Sequence, residues 1–140
     1  RDVYKRQMQV DPVYSEVVAE VADYLRQRLA AAEAAGIERR RMLIDPGFGF
    51  GKTLAHNLAL FKNLPELADI SPLLAGVSRK SFLGALTGRS TEDRLLPSVI
   101  AALLAVQGGA AVVRVHDVRE TVEALRLWQD LQGNQLGVKA

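Results

Sequence analysis

The feature that most constrains this chain is an alternation repeated along its length: an amphipathic stretch with helical spacing, then a short apolar run that ends in polar residues. Across Tyr14–Ala35, Val17, Val18, Val21, Leu25 and Leu29 recur at helical intervals with Arg and Glu opposite, which predicts a helix closed by Gly36. A charged link leads into "RMLID", an apolar run of strand length. Leu54–Leu67 repeats the helical pattern through Leu54, Leu58, Phe61 and Leu64, with Pro65 ending or shortening it, and "PLLAGVS" supplies a second strand. The third cycle is an alanine- and leucine-rich helix, Pro97–Val106, closed by Gly108 and Gly109, followed by the β-branched run "AAVVRVHD". A last amphipathic helix, Thr121–Leu131, turns Val122, Leu125 and Trp128 inward.

Nearly continuous apolar strands separated by helices are the pattern of a parallel sheet covered by helices. A doubly wound sheet and a segment of a (β/α)8 barrel both satisfy it. Each strand here runs into its own polar cluster, and barrels assemble their sites from the C-terminal ends of several strands. The expected fold is therefore α/β, the C-terminal part of a (β/α)8 TIM barrel with parallel strands and flanking helices. A complete barrel takes roughly 250 residues, so the 140 residues of this chain would make an incomplete one.

Composition removes several function classes. Hydrophobic residues make up 49% of the chain and 18 basic residues nearly balance 16 acidic ones, as in a soluble globular unit. The dense basic run, Arg39–Arg41, has few aromatics beside it and reads as a solvated turn, not a nucleic-acid patch. Without cysteine there are neither disulfides nor thiolate metal sites. The apolar stretch Val99–Val106 is too short to span a bilayer, and Arg1–Asp11 lacks the apolar segment of a signal peptide. Small-molecule substrates, no nucleic acid, no membrane and a cytoplasmic location are expected. Residues 1–7 are expected to be non-native, residues 8–132 to form the barrel part, and residues 133–140 to be a tail.

The polar clusters carry the chemistry. In "DPGFGFGKT", Asp45–Thr53, Pro46 stands where a Walker A loop needs its first glycine, and Lys52 where a dinucleotide fingerprint needs its last. Neither phosphate loop fits. The alternating Gly47, Gly49 and Gly51 let backbone approach a flat or bulky ligand. Asp45 either accepts paired hydrogen bonds from that ligand or caps the turn, and Phe50 either covers the ligand or packs on neighbouring loops. Within Ser78-Arg79-Lys80-Ser81, Lys80 suits a hydrogen bond to a carbonyl or ring nitrogen, against the alternative of surface charges at a turn. Arg114 and His116, one residue apart on a strand, share a face while Val113 and Val115 pack on the other. A guanidinium beside an imidazole suits an anion such as phosphate; an ion-paired arginine near a satisfied histidine is the alternative. Asp117 either caps the last helix or serves substrate. His56 and His116 have no metal-ligand spacing, and a triad drawn from Ser78, His116 and Asp45 lacks a nucleophile elbow.

Together "LIDPGFGFGKT", "GVSRKSFLG" and "RVHDV", in this order and at these separations, closely resemble the C-terminal half of the dihydropteroate synthase family over about Met8–Leu131. The resemblance implies a (β/α)8 barrel in which these are strands six to eight. It also implies the reaction: the amine of 4-aminobenzoate displaces pyrophosphate from 6-hydroxymethyl-7,8-dihydropterin diphosphate. Asp45 would hold the amino and ring N–H edge of the pterin and Lys80 its acceptor edge, with Gly49 and Gly76 in the substrate-binding set. Phe50, Ser78, Arg79 and Ser81 would line the aminobenzoate side, and Arg114 and His116 would bind the diphosphate. Asp45, Lys80, Arg114 and His116 would form the catalytic set. The family's Mg2+ ligand, an asparagine, is expected outside this chain, the full-length protein is expected to be a homodimer, and the chain alone is expected to be inactive and poorly stable. Val99-Ile100 departs from the family's usual Ser-Leu-Ala pattern near Pro97 and bears on packing. Two alternatives stay open: a methyltetrahydrofolate-binding methyltransferase module, and a non-catalytic relative acting as a partner subunit.

Overall fold

The computed structural model describes residues 14–133. Residues 1–7, the start of the expected barrel part at 8–13, and residues 134–140 of the expected tail lie outside the described residues.

The chain opens with α1 (Tyr14–Ala34), whose Val17, Val18, Ala22, Leu25 and Leu29 are buried as the spacing predicts. A Schellman arrangement closes it: Gly36 N–H donates to the Glu33 carbonyl at 2.9 Å and Ile37 N–H to the Ala32 carbonyl at 3.0 Å. A 3-10 turn at Arg39–Arg41 then leads to Ile44, which forms a parallel bridge with Leu73. Next come α2 (Leu54–Lys62), α3 (Leu64–Ala68) and β1 (Leu74–Ala75), then α4 (Ser81–Thr87), α5 (Leu95–Gln107), β2 (Val112–Val113) and α6 (Val118–Gln132).

β1 pairs parallel with β2, Leu74 opposite Val112 and Ala75 opposite Val113. The ladder extends past both pairs: Leu74 N–H donates to the Ile44 carbonyl at 2.8 Å and Arg114 N–H to the Ala75 carbonyl at 3.1 Å. Three parallel segments thus lie side by side in chain order, joined by helical crossovers. This is an α/β fold, with the C-terminal end of every segment at one rim. The apolar strand runs proved longer than the paired backbone. "RMLID" contributes one bridge because Arg41 belongs to the 3-10 turn, and the other two runs keep two paired residues each.

The helix expected over Leu54–Leu67 is broken at Asn63, which leaves helical geometry (φ −110°, ψ 22°) and takes a side-chain bond back to the Ala59 carbonyl at 2.8 Å. Pro65 sits in the first turn of α3, where a missing N–H costs nothing. Pro97 likewise lies inside the first turn of α5, so that helix begins at Leu95, and α6 begins at Val118, ahead of Thr121. The sequence reading did not anticipate α4. The core gathers the inner faces of α1, α2 and α3 against Ile44, Leu73, Ala75 and Val77. Phe48 is its largest fully buried side chain, edge-on to Phe61 with ring centroids 5.9 Å apart and 6.1 Å from Phe82. One residue of the glycine-rich loop is therefore sunk in the core, which fixes the residues on either side of it.

Candidate active site

All the predicted site residues lie at or just beyond the C-terminal ends of the three parallel segments. Asp45 follows the bridged Ile44. Its Oδ1 accepts the Gly47 N–H at 2.8 Å, so the carboxylate does cap its own turn, and its Oδ2 faces Arg114 Nη1 at 3.4 Å. That pair joins the first segment to the third, and both side chains are part-exposed.

The loop between Asp45 and Thr53 is held from below by residues that sequence reasoning missed. Asn57, buried on α2, accepts the Gly49 N–H at 2.8 Å and donates to the Thr53 carbonyl at 3.0 Å. Lys52 Nζ donates to the Gly47 carbonyl at 2.7 Å. Thr53 caps α2 in a reciprocal box: its hydroxyl accepts the His56 N–H, and its own N–H donates to His56 Nδ1, each at 3.2 Å. Nδ1 must be unprotonated to accept, which assigns the proton of neutral His56 to Nε2. Burial holds the imidazole below its ordinary range, and the Lys52 cation pushes in the same direction.

Lys80 reaches this loop from the second segment. Its Nζ lies 4.3 Å from the centroid of the exposed Phe50 ring, and its stem runs against Gly49, where a Cβ would come to 3.3 Å from Lys80 Cδ. Gly49 has φ +86°, a backbone conformation that favours glycine.

The register that pairs Ala75 with Val113 carries on past the strands. Gly76 comes opposite Arg114, and a Cβ there would overlap the guanidinium. Ser78 comes opposite His116: its hydroxyl accepts the His116 backbone N–H at 3.2 Å and lies 2.8 Å from His116 Nδ1. Either the Ser78 hydroxyl donates to Nδ1, with the imidazole proton on Nε2, or Nδ1–H donates to the hydroxyl; in both cases Nε2 is directed away from Ser78. Ser78 is buried and doubly bonded, so it is not an exposed nucleophile, and Asp45 is bonded to Arg114 and Gly47; the triad drawn on paper is not assembled.

Arg79 and Ser81 stand apart from that convergence. The Arg79 guanidinium binds Asp117 Oδ1 at 2.9 Å, and Asp117, at the head of α6, makes no side-chain cap bond. Ser81 is exposed at the start of α4. Beside the glycine loop, on the α1 side, opens a cleft of about 690 Å³ bounded by Glu20, Tyr24, Asp45, Phe50 and Lys52. Burial and the neighbouring Glu16 raise the carboxyl of Glu20 on its wall. Chemically, the rim offers a carboxylate for a donor edge, an ammonium for an acceptor edge, and an arginine and histidine for an anion.

Residues 2–116 match the profile of a family described as pterin binding enzyme. The chain belongs to the pterin-binding enzyme family. Among members of that family it is 53% identical over 129 residues to the dihydropteroate synthase of Neisseria meningitidis serogroup B, covering 89% of this chain and 45% of the relative. It superposes with a TM-score of 0.82 and 55% identity on the Xanthomonas albilineans dihydropteroate synthase solved with 7,8-dihydropteroate, over 86% of this chain and 47% of that one. The same enzyme solved with 4-aminobenzoic acid gives a TM-score of 0.81 at 56% identity, over 83% of this chain and 43% of that one. The chain thus spans a little under half the length of these relatives.

Proposed function

We propose that residues 8–132 are the pterin-binding part of a dihydropteroate synthase and supply strands six to eight of its (β/α)8 barrel. The observation that carries this reading is the meeting of three strand-end charges on one loop, with Arg114 at 3.4 Å from Asp45 and Lys80 at 4.3 Å over Phe50. The Xanthomonas albilineans complexes with 7,8-dihydropteroate and 4-aminobenzoic acid support the choice of substrates.

In the reaction, the bond from the pterin's exocyclic CH2 to the diphosphate oxygen breaks with its electron pair leaving on pyrophosphate. The nitrogen of 4-aminobenzoate forms the new C–N bond and releases a proton to water. Asp45 accepts hydrogen bonds from the amino and ring N–H edge of the pterin, taking them in exchange for its part-exposed bond to Arg114. Lys80 donates to the opposite edge, and Phe50 and Ser81 flank the aminobenzoate. Arg114, released from Asp45, and His116, through its outward Nε2, hold the departing diphosphate. Catalysis then consists of stabilising the leaving charge and aligning the amine, without a strong general base. An anion site of this kind has no use in the methyltransferase alternative.

Among the described residues no group of three or more His, Cys, Asp or Glu is arranged to hold a metal ion, and the asparagine that the family implies for Mg2+ would lie outside this chain. No helix among them is long and apolar enough to cross a membrane. Exposed Leu96, Ile100 and Leu104, spaced along one side of α5, support a homodimer of the full-length protein.

The test is a chimera. Residues 8–140 are joined to the portion of the Neisseria meningitidis relative that this chain does not cover, and formation of 7,8-dihydropteroate is followed. Turnover by the chimera, with none from the 140-residue chain alone, is expected. A folded chimera that forms no product, or that turns over as well with Asp45→Ala as without it, contradicts the assignment.

A further inference from the structure

Arg79 is the one non-glycine residue with positive φ among the described residues, at +56°. An arginine gains nothing by itself from that conformation, which costs about 1–2 kcal/mol in an L-residue. Three neighbours hold it there. Its N–H donates to the hydroxyl of Ser98, buried on α5, at 2.8 Å, its carbonyl accepts from Arg94 Nη1 at 3.0 Å, and its guanidinium binds Asp117 at 2.9 Å.

Arg94 is built into this position from several sides. Its Nε donates to the Arg89 carbonyl at 3.2 Å, and its guanidinium occupies the space where a Cβ on Gly84 would stand. α4 has glycine at that point, so the arginine can pass across the helix to the Arg79 carbonyl. The next residue is Lys80, whose ammonium lies over Phe50 and whose stem lies against Gly49. Returning residue 79 to a right-handed φ near −60° swings Lys80 off that loop.

We propose that Arg94 is a positioning residue: by clamping the Arg79 carbonyl through the gap at Gly84, it keeps residue 79 left-handed and thereby aims Lys80 at the ligand. The clamp itself stands on geometry alone; its consequence for substrate rests on the synthase reading above. The two are tested by separate readouts. The first is the intraresidue amide–Hα NOE of residue 79 in the 140-residue chain, which is strong only at positive φ. Arg94→Ala is expected to reduce it to the level of its helical neighbours. Gly84→Ala, which crowds the guanidinium out while leaving the arginine in the sequence, is expected to do the same. An undiminished NOE in both variants overturns the clamp, whether or not any enzyme assay succeeds.

The second readout is a double-mutant cycle in the chimera. Arg94→Ala is expected to lower kcat/KM about tenfold, the scale of one charge-assisted hydrogen bond. In an Arg79→Gly background it should lower it less than about threefold, because glycine keeps the left-handed turn unaided. A purely structural role for Arg94 in closing the Arg89–Arg94 loop predicts equal losses in both backgrounds, and equal losses overturn the proposal. An unsubstituted chimera without turnover contradicts the synthase reading and leaves the NOE result to decide the clamp.

Discussion

At Asp45 one carboxylate makes two different bonds with its two oxygens. Oδ1 closes its own turn on Gly47, and Oδ2 meets Arg114 across the sheet. Because that ion pair is part-exposed, its contribution to stability is below about 1 kcal/mol, whereas charge-assisted hydrogen bonds to a pterin edge are each worth about 1.5–3 kcal/mol. Asp45→Asn in the chimera is therefore expected to lower kcat/KM by about a hundredfold with a nearly unchanged urea midpoint. His56 gives the pH prediction. Its folded-state pKa lies below the unfolded value near 6.5, so the neutral form is the one the fold accepts. The stability it supports is present above that value and is lost as pH falls from there through the lower folded pKa. His56→Gln keeps a capping-box partner and is expected to flatten the urea midpoint between pH 7 and 5; an unaltered slope would assign the acid sensitivity elsewhere. The sequence exposed Asp45, Lys80 and Arg114 because each ends an apolar run. It concealed Asn57, Arg94 and Ser98, because they act through backbone atoms of residues that only the folded turn brings near them.

At the scale of elements, the helices were legible from periodicity and their ends from glycine. Gly109 closes α5 in a second Schellman arrangement, its N–H on Val106 at 3.0 Å and the Ala110 N–H on Ala105 at 3.0 Å. Gly109→Ala must hold φ +111° and bring a Cβ to 3.0 Å from Ala68 Cβ. We expect a loss of about 1–2 kcal/mol in denaturant unfolding, larger than for alanine at exposed Gly88, where nothing stands within 4 Å. What periodicity could not show was α4. Its seven residues are too few to establish a repeat, and the polar "SRKS" run before them reads as the end of a strand rather than the entry to a helix. The break at Asn63 was misplaced to Pro65 for a related reason: proline marks a constraint on the chain, but in the first turn of a helix that constraint is harmless.

Across the whole molecule, three parallel segments in chain order set every strand end at one rim, and this places residues far apart in sequence around one loop. Parallel order was readable from alternating helices and apolar runs; closure into a barrel was not, since these segments satisfy an open sheet equally well. Leu43 and Val112, on the outer segments, are 50% and 41% exposed, and a surface of that kind is one that further strands would cover. The chimera is accordingly expected to unfold at higher denaturant and with a steeper transition than the 140-residue chain. Equal midpoints and slopes would argue for an open sheet complete in itself. The most direct measurement is a crystal structure of the chimera soaked with 7,8-dihydropteroate. Expected is the pterin with its amino edge within hydrogen-bond distance of Asp45, Lys80 on its opposite edge, and Arg114 turned away from Asp45. A product bound elsewhere, with Arg114 still on Asp45 and Lys80 still over Phe50, would contradict the convergence of these three residues on one pterin.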